Sequence, residues 1–307
     1  ESPDYQMAIA PDTKVVVVTG VAGFENRTDF TTQPVTEIQD SAGNRVSNSA
    51  QVTVSISSGT LTGTTTVTSV NGTATFSGLG KYGTVGTKTL TFSSGVLTSD
   101  TTQVFTLTHG VVDHLAMTSP STLVNDTAFG TQPVVTMQDQ DNNTVTTGSD
   151  STQTVTLSST DATIGGTYSM NAVAGVATFS GLGKTGVIGS KTLTFSTGSL
   201  TSATQTFTLT YGAVAGLAVS APSSVAAGAV WTTQPVVTVQ DADGNTVANS
   251  TATITLTSAD ATISGTTSMA ATAGVADFTG SSIAFAGTVG TRTLTATGAT
   301  KTASVSV

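Results

Sequence analysis

The sequence contains no cysteine and few charged or aromatic residues. Charged residues make up 9% and aromatic residues 5% of the 307-residue chain, whereas charged residues are about 25% of an ordinary soluble protein. The absence of cysteine excludes disulfides and thiolate metal sites. With one tryptophan and four tyrosines, the chain offers few aromatic platforms for a sugar. An accessory carbohydrate-binding module is therefore a poor fit.

Basic residues are also scarce. Nine lysine and arginine residues against 18 acidic residues give a net charge of −9 and an isoelectric point near 4.3. Nucleic acids and anionic membranes bind clustered cations, and no apolar run approaches the ~20 residues of a membrane-spanning helix. We expect no nucleic-acid partner and no membrane insertion within this chain. Because it begins at Glu1 without a methionine or signal peptide, we expect a mature or excised piece of an exported protein.

The motifs of common catalytic sites are missing as well. The sequence has neither a G-x-S-x-G nor an H-E-x-x-H string, and its two histidines, His109 and His114, stand five residues apart in a predicted linker. We expect both to be exposed linker residues. No catalytic residue and no cofactor is predicted, so the chain is not expected to be an enzyme.

Internal repetition is the strongest feature that the sequence does have. Two marker strings recur in step: TQPV at 32–35, 131–134 and 233–236, and GTKTLTF, GSKTLTF and GTRTLTA from 86, 189 and 290. A period near 100 residues is longer than the ~20–50 residues of solenoid units, so each copy should have its own core. The sequence predicts three domains in a row, at 1–110, 111–212 and 213–307.

Within each copy, apolar residues alternate with polar ones. Val135 and Met137 share one face of a segment, as do Leu193 and Phe195, which is typical of half-buried strands. The alternating polar residue is usually threonine, whose β-branched side chain suits a pleated surface. No segment has helical periodicity. The pattern predicts an all-β protein with about seven short strands in each copy, packed as a two-sheet antiparallel sandwich.

The order of four segments resembles the bacterial immunoglobulin-like domains of invasin- and intimin-type surface proteins. In the third copy the segments are TQPVVTVQDADGNTV (233–247), TATITLTS (251–258), AGVADFTG (273–280) and AGTVGTRTLTA (286–296), and the other copies match them. The resemblance implies three tandem immunoglobulin-like antiparallel β-sandwiches. It also implies an extracellular, cell-surface location and a structural or adhesive role, but it selects no ligand.

The string FSGLGKTG at 179–186 looks like a phosphate-binding loop. Its suggestive residues are Gly181, Gly183, Lys184 and Thr185. A P-loop has a further glycine where this chain has Thr178, and it links a strand to a helix. The first copy repeats the string as FSGLGKYG at 76–83. The sequence therefore predicts a loop between strands, with the lysine exposed at its tip.

Aspartates that follow the TQPV strand resemble the start of a calcium loop. The weak calcium candidates are Asp139, Asp141, Asp241 and Asp243. A complete EF-hand loop would place a glutamate where the third copy has Ala252, and the first copy has Asp40 without a second carboxylate. A tight turn with glycine or asparagine explains all three strings. A turn is the expected structure, and no metal is expected.

One cation and one acid recur at core-facing positions. The cations are Lys88, Lys191 and Arg292, and the acids are Asp40, Asp139 and Asp241. An ordinary salt bridge or a solvated strand end is predicted. A covalent isopeptide bond is the alternative, which an arginine in the third copy cannot form.

Five sequons provide candidate glycosylation sites, although chance also produces them in a threonine-rich chain. They are Asn26, Asn71, Asn125, Asn142 and Asn249.

Trp231 precedes TQP where Phe30 and Phe129 do in the other copies. It is therefore predicted to cap a core or a junction.

Successive copies are separated by short apolar segments, at 107–117 and 209–219. Such segments limit bending between neighbours. The chain is predicted to be a rod or stalk on a prokaryotic cell surface. The alternative is a self-assembling subunit of a surface layer or extracellular filament, joined through edge strands or inter-domain faces. Expected partners are other copies of the chain or other cell-surface proteins.

The start of the first copy differs from the others. We place residues 5–11 where residues 115–120 and 217–222 open the second and third copies. In the self-assembling alternative, the segment before Val15 is predicted to dock on another subunit, whereas in a plain monomeric rod it does not.

Overall fold

The chain folds almost entirely into antiparallel β-sheets. The computed structural model describes residues 10–121, 123–159, 163–198 and 200–307. Within these residues, strands and loops account for everything except a 3-10 turn at Ser149–Thr152, and no described helix is long and apolar enough to span a membrane. The alternation of apolar residues with threonine has therefore produced the all-β fold that it predicts.

The strands are numbered in chain order. The first repeat contains β1 (Asp12–Thr19), β2 (Thr28–Asp29), β3 (Val35–Asp40), β4 (Gln51–Ile56), β5 (Thr60–Thr62), β6 (Thr66–Thr68), β7 (Thr73–Thr75), β8 (Gly80–Tyr82), β9 (Gly86–Ser93) and β10 (Asp100–Leu107). The second contains β11 (Val112–Met117), β12 (Thr127–Ala128), β13 (Val134–Asp139), β14 (Thr154–Ser159), β15 (Thr163–Gly165), β16 (Ser169–Asn171), β17 (Val176–Thr178), β18 (Gly183–Thr185), β19 (Gly189–Ser196) and β20 (Ala203–Leu209). The third contains β21 (Gly216–Ser220), β22 (Val236–Gln240), β23 (Thr253–Thr257), β24 (Thr262–Ser264), β25 (Ser268–Ala270), β26 (Val275–Asp277), β27 (Ala284–Ala286), β28 (Thr293–Gly298) and β29 (Lys301–Ser306).

Each repeat packs a three-stranded sheet against a four-stranded sheet. In the first repeat the strand orders are β1-β3-β7 and β10-β9-β4-β6, and the other two repeats have equivalent pairs. Very short strands form an additional small sheet, such as β2-β8-β5. The two main sheets of each repeat hold the seven strands that the sequence predicts. The small additional sheet was not predicted, because its two- and three-residue strands are too short to show an alternating pattern.

Hydrophobic side chains from the two sheets meet between them. Ile38 of the three-stranded sheet and Leu90 of the four-stranded sheet are fully buried, and the rings of Phe76 and Phe92 pack edge to face at 5.5 Å. The described residues contain three such clusters, formed by residues 15–107, 112–207 and 211–307. Tyr211 packs on the third cluster, slightly before the predicted boundary. The division into three domains stays a prediction.

The register of the first strands corrects the alignment of the N-terminal segment. The equivalent pairs are Val15 with Ile38, Leu115 with Met137, and Leu217 with Val239. Val15 is therefore the counterpart of Leu115 and Leu217, and the placement of residues 5–11 at this position is wrong. The predicted docking of the segment before Val15 concerns mainly residues 1–9, which lie outside the described residues.

Candidate functional site at the repeat junctions

The lysine of the loop that resembles a P-loop is buried. Lys184 lies in β18 with no solvent exposure, and its Nζ donates to Ser159 Oγ at 2.6 Å. Its counterpart Lys81 is 1% exposed and donates to the Gly23 carbonyl at 2.6 Å. The prediction of an exposed lysine at a loop tip is wrong, because the aliphatic stem packs in the sandwich while the ammonium meets oxygen atoms at its end.

Aromatic packing explains why this position tolerates a lysine. Lys81 Nζ lies 4.6 Å from the centroid of the Phe30 ring, and burial lowers the pKa of Lys81. In the third repeat Phe285 and Trp231 hold the equivalent places and pack edge to face at 4.9 Å. Trp231 is 3% exposed, so it lies in the core as expected. Both pairings place a side chain against an aromatic ring face.

The predicted salt bridge at the core edge is wrong for Lys88 and Asp40. Lys88 Nζ donates to Ser58 Oγ at 2.8 Å, whereas Asp40 accepts from backbone N–H groups, including that of Asn44 at 2.8 Å. Arg292 is half-buried and donates to the hydroxyl of Thr288 at 2.6 Å.

The aspartates considered for calcium lie at the junctions between repeats. Asp139 is 1% exposed, and its carboxylate accepts from the N–H groups of Gly110 at 2.9 Å and Asp141 at 2.9 Å and from both amides of Asn143. Asn26 of the first repeat adds another donor at 2.9 Å. These oxygens thus have a hydrogen-bonding role, and no group of three or more metal-binding side chains occurs among the described residues.

Asn26 and Arg27 of the first repeat donate hydrogen bonds to the second repeat across the first junction. Asn26 Nδ2 also donates to Asp141 at 2.8 Å. Arg27 donates through Nε and Nη2 to both oxygens of Asp141, each at 2.8 Å. This two-point pairing of a guanidinium with a carboxylate fixes orientation as well as distance.

Asn143 makes a return contact from the second repeat to the first. Its Nδ2 donates to the Gly83 carbonyl at 3.0 Å, and its Oδ1 accepts from the Val85 N–H at 2.8 Å. The side chain therefore pairs with the backbone of the preceding repeat much as a neighbouring strand would.

The second junction repeats this arrangement. Asn125 Nδ2 donates to Asp241 at 3.0 Å and to Asp243 at 2.7 Å. Asn245 donates to the Gly186 carbonyl at 2.9 Å and accepts from the Ile188 N–H at 3.0 Å. The two junctions thus use the same residue types in the same roles.

Charge distinguishes the two junctions. In the first junction Arg27 faces Asp141. The equivalent position in the second junction is Asp126, and Arg27 and Asp126 both have a left-handed backbone, with φ of 59° and 58°. Desolvation and the charges of Asp243 and Asp241 raise the pKa of Asp126. The first junction therefore has an attractive pair where the second has like charges.

The buried junction carboxylates are held in their ionised form. Burial by itself would raise their pKa values, but hydrogen bonds from the linker N–H and from two asparagines lower the pKa of Asp139 to about 2 and that of Asp241 to about 2. Donors aimed at a carboxylate stabilise its charged state. Both aspartates therefore remain negative across the neutral and mildly acidic range.

The histidines are half-buried rather than exposed, which corrects the prediction. His109 Nε2 accepts from the Thr147 N–H at 3.3 Å and lies 2.9 Å from the Thr147 hydroxyl. His114 lies in β11, with Nδ1 3.0 Å from a carboxylate oxygen of Asp113. His109 thus contributes to the first junction.

Two of the five sequons belong to the junctions. Asn26 and Asn125 are 2% and 1% exposed, and their amides are engaged as described above. Asn71, Asn142 and Asn249 are exposed. The sequence interpretation missed the junction role of the two buried asparagines, although both stand six residues before TQPV.

Comparisons with known proteins identify no family. No protein-family model and no curated protein matches the chain. Among solved structures it is similar to InvD of Yersinia pseudotuberculosis (19% identity, 95% of this chain and 96% of that one, TM-score 0.39). It is also similar to the Escherichia coli adhesin FdeC (13%, 95% and 94%, TM-score 0.41) and to the surface layer protein SbsC (15%, 98% and 40%, TM-score 0.27). The chain spans 25% of the length of two similar bacterial glycosidases. At these identities and TM-scores, the similarities carry no argument about function.

Proposed function

We propose that the chain is a non-catalytic, extracellular structural or adhesive protein, built as a rod of three immunoglobulin-like domains on a prokaryotic cell surface. The observation that carries the proposal is that the same residue types form the same contacts at both junctions. Domains joined by flexible linkers need no such contacts. Hydrogen bonds to a buried carboxylate have directional geometry, so a junction of this kind resists bending.

Composition supports the remainder of the proposal. A cysteine-free, lysine-poor and threonine-rich surface suits an exported repeat protein, and the resemblance to invasin- and intimin-type domains points to the cell surface. Other copies of the chain or other cell-surface proteins are the proposed partners. The domains divide at 1–110, 111–212 and 213–307.

Small-angle scattering of the 1–307 chain tests the rod. With ~40 Å for each sandwich, the length should be ~120 Å and the radius of gyration roughly 35 Å, against about 19 Å for a globular protein of this size. Replacing Asn26 and Asn125 with alanine should lower the radius of gyration by allowing bending. A globular value for the unaltered chain would contradict the proposal.

Antibodies test the location. Raised against the chain, they should label intact cells of the source organism. Labelling only after permeabilisation would contradict a surface location.

Self-assembly into a filament or surface layer is a second candidate function. It is favoured by the loop after β3, which matches the loops that fill the two junctions. Asn44 in that loop is exposed, whereas Asn143 and Asn245 are 6% and 8% exposed in their junctions. The first repeat thus has a loop of the junction type at its surface.

A further inference from the structure

Solvent exposure separates the five sequons from one another. The asparagine amide of a sequon receives the sugar, and the serine or threonine two residues later completes the signal. All five sequons lie in described residues, and Asn249-Ser250-Thr251 is the one in which the asparagine and the threonine are both exposed. A transferase that must reach both side chains therefore has access to one sequon of the folded chain.

The junction contacts exclude Asn26 and Asn125. Each donates through Nδ2 to two aspartates of the following repeat, at distances between 2.7 and 3.0 Å. A sugar on this nitrogen would replace one of the two amide hydrogens that these hydrogen bonds use. It would also need space that the two repeats fill, so modification of either asparagine is incompatible with its junction.

Asn71 lies in a two-residue turn between β6 and β7. Val70 and Thr73 exchange backbone hydrogen bonds at 2.8 and 3.1 Å, and Asn71 has a φ of 50°, as a hairpin turn of this kind requires. The Thr73 side chain is half-buried, and its hydroxyl accepts from Arg45 at 3.3 Å. The turn therefore accounts for this asparagine, and the threonine of the sequon is already engaged.

Asn142 belongs to the loop that fills the first junction. Asn143, the middle residue of its sequon, is 6% exposed and hydrogen bonds with the backbone of Gly83 and Val85. Thr144 is half-buried. These three residues cannot enter the active site of another protein together without opening the junction.

Asn249 lies in the loop between β22 and β23, with open space beside it. Its side chain makes no hydrogen bond to any other residue that the structure describes. A solvent-open groove of about 520 Å³ borders it, lined in part by Val124 and Tyr211, and sites for small molecules have volumes of about 300–1,000 Å³. A sugar on the Asn249 amide therefore has room and breaks no contact between the repeats.

We propose that Asn249 is an N-glycosylation site, and that it is the one of the five sequons that is modified. The donor is a sugar linked to a lipid diphosphate. Asn249 Nδ2 forms a bond to the anomeric carbon of the sugar while the bond from that carbon to the phosphate oxygen breaks. The diphosphate leaves with the electron pair, and one amide proton passes to a base of the transferase. This inference goes beyond the proposed rod and relies only on the proposed extracellular location.

Mass spectrometry of the chain isolated from cells of the source organism tests the site. The peptide that contains Asn249 should carry the added mass of a sugar, and fragmentation should place that mass on the asparagine. Peptides that contain the other four sequons should have their unmodified masses. An unmodified Asn249, or equal modification of Asn142, would overturn the proposal.

Variants expressed in the same cells separate this sequon from other attachment chemistry. Asn249→Gln and Thr251→Ala should abolish the added mass, whereas Thr251→Ser should keep it, because a hydroxyl remains two residues after the asparagine. Asn142→Gln is the matched control and should leave the mass unchanged. An added mass that survives Thr251→Ala would contradict the proposal. Antibody labelling measures the location separately: an unmodified chain on the cell surface refutes the site alone, and a chain inside the cell refutes the location.

Discussion

Replacing Asn125 with alanine should open the second junction while leaving the sandwich cores intact. The side chain donates to Asp241 and Asp243 across the junction. After the change Asp241 still accepts from Gly212 and Asn245, so its charge is not left unpaired. The Gly186 N–H, which donates to Asn125 Oδ1, keeps Asp243 as an acceptor. The loss is therefore limited to the hydrogen bonds that one side-chain amide donates and accepts.

The structure sets the magnitude of this effect. A hydrogen bond to a charged group contributes about 1.5–3 kcal/mol. We expect the free-energy difference between the open and the closed junction to fall by about 2 kcal/mol. The fraction of molecules with an open second junction should then rise roughly 30-fold.

Hydrogen exchange at single amides measures that fraction. The Ile188 N–H donates across the second junction to Asn245, and the Val85 N–H donates across the first junction to Asn143. In Asn125→Ala, exchange at Ile188 should accelerate roughly 30-fold, while exchange at Val85 stays unchanged. Asn249→Ala, at an exposed position, is the matched control. Equal exchange at Ile188 in the variant and the native chain would refute the assigned role of Asn125.

Four further outcomes are expected. Phe179→Ala should lower the unfolding free energy by about 3–5 kcal/mol in denaturant titrations, because Phe179 is 1% exposed and packs on Phe195; a loss below about 1 kcal/mol would contradict this core assignment. Although burial opposes it, hydrogen bonding lowers the pKa of Asp241 to about 2, below about 3.9 in an unfolded chain, so its stabilisation is present above about pH 4 and is lost as the pH falls through about 2. Asp241→Asn should therefore flatten the acid-induced decline in unfolding free energy over that range, and an unchanged decline would contradict this linkage. Asp126→Arg should slow exchange at the second junction by pairing with Asp243, and this gain should shrink in about 1 M salt; a gain that is independent of salt would exclude an ionic cause. Millimolar calcium should leave the melting temperature unchanged, because N–H donors already engage the junction carboxylates, and a clear rise would return those aspartates to consideration as calcium ligands.

The alternating sequence predicted the sandwich because a half-buried strand needs one apolar face. It did not predict the small additional sheets, since strands such as β2 and β8 contain only two or three residues. Their pairing is determined by the loops that bring them together, which no local pattern encodes.

The burial of Lys184 was missed because a lysine between glycines usually lies on a surface loop. The signal that could have revealed it was Phe285 at the equivalent position of the third copy. A position that accepts either lysine or phenylalanine favours a long apolar stem in a packed environment. Comparison among the copies therefore carried information that the single motif did not.

The junctions escaped prediction because their partners lie more than 100 residues apart, as Asn26 and Asp139 do. Each residue also has a sufficient local explanation, one as a sequon and the other as a turn residue. Yet this chain, in which only 9% of residues are charged, buries Asp139 and Asp241. A buried carboxylate without hydrogen-bond donors would cost a large free energy of desolvation. Apolar contacts alone would leave neighbouring sandwiches free to slide and rotate, because the hydrophobic effect has no direction. A carboxylate ringed by N–H groups from both sides is satisfied only in one orientation, and this property is what the proposed rod requires.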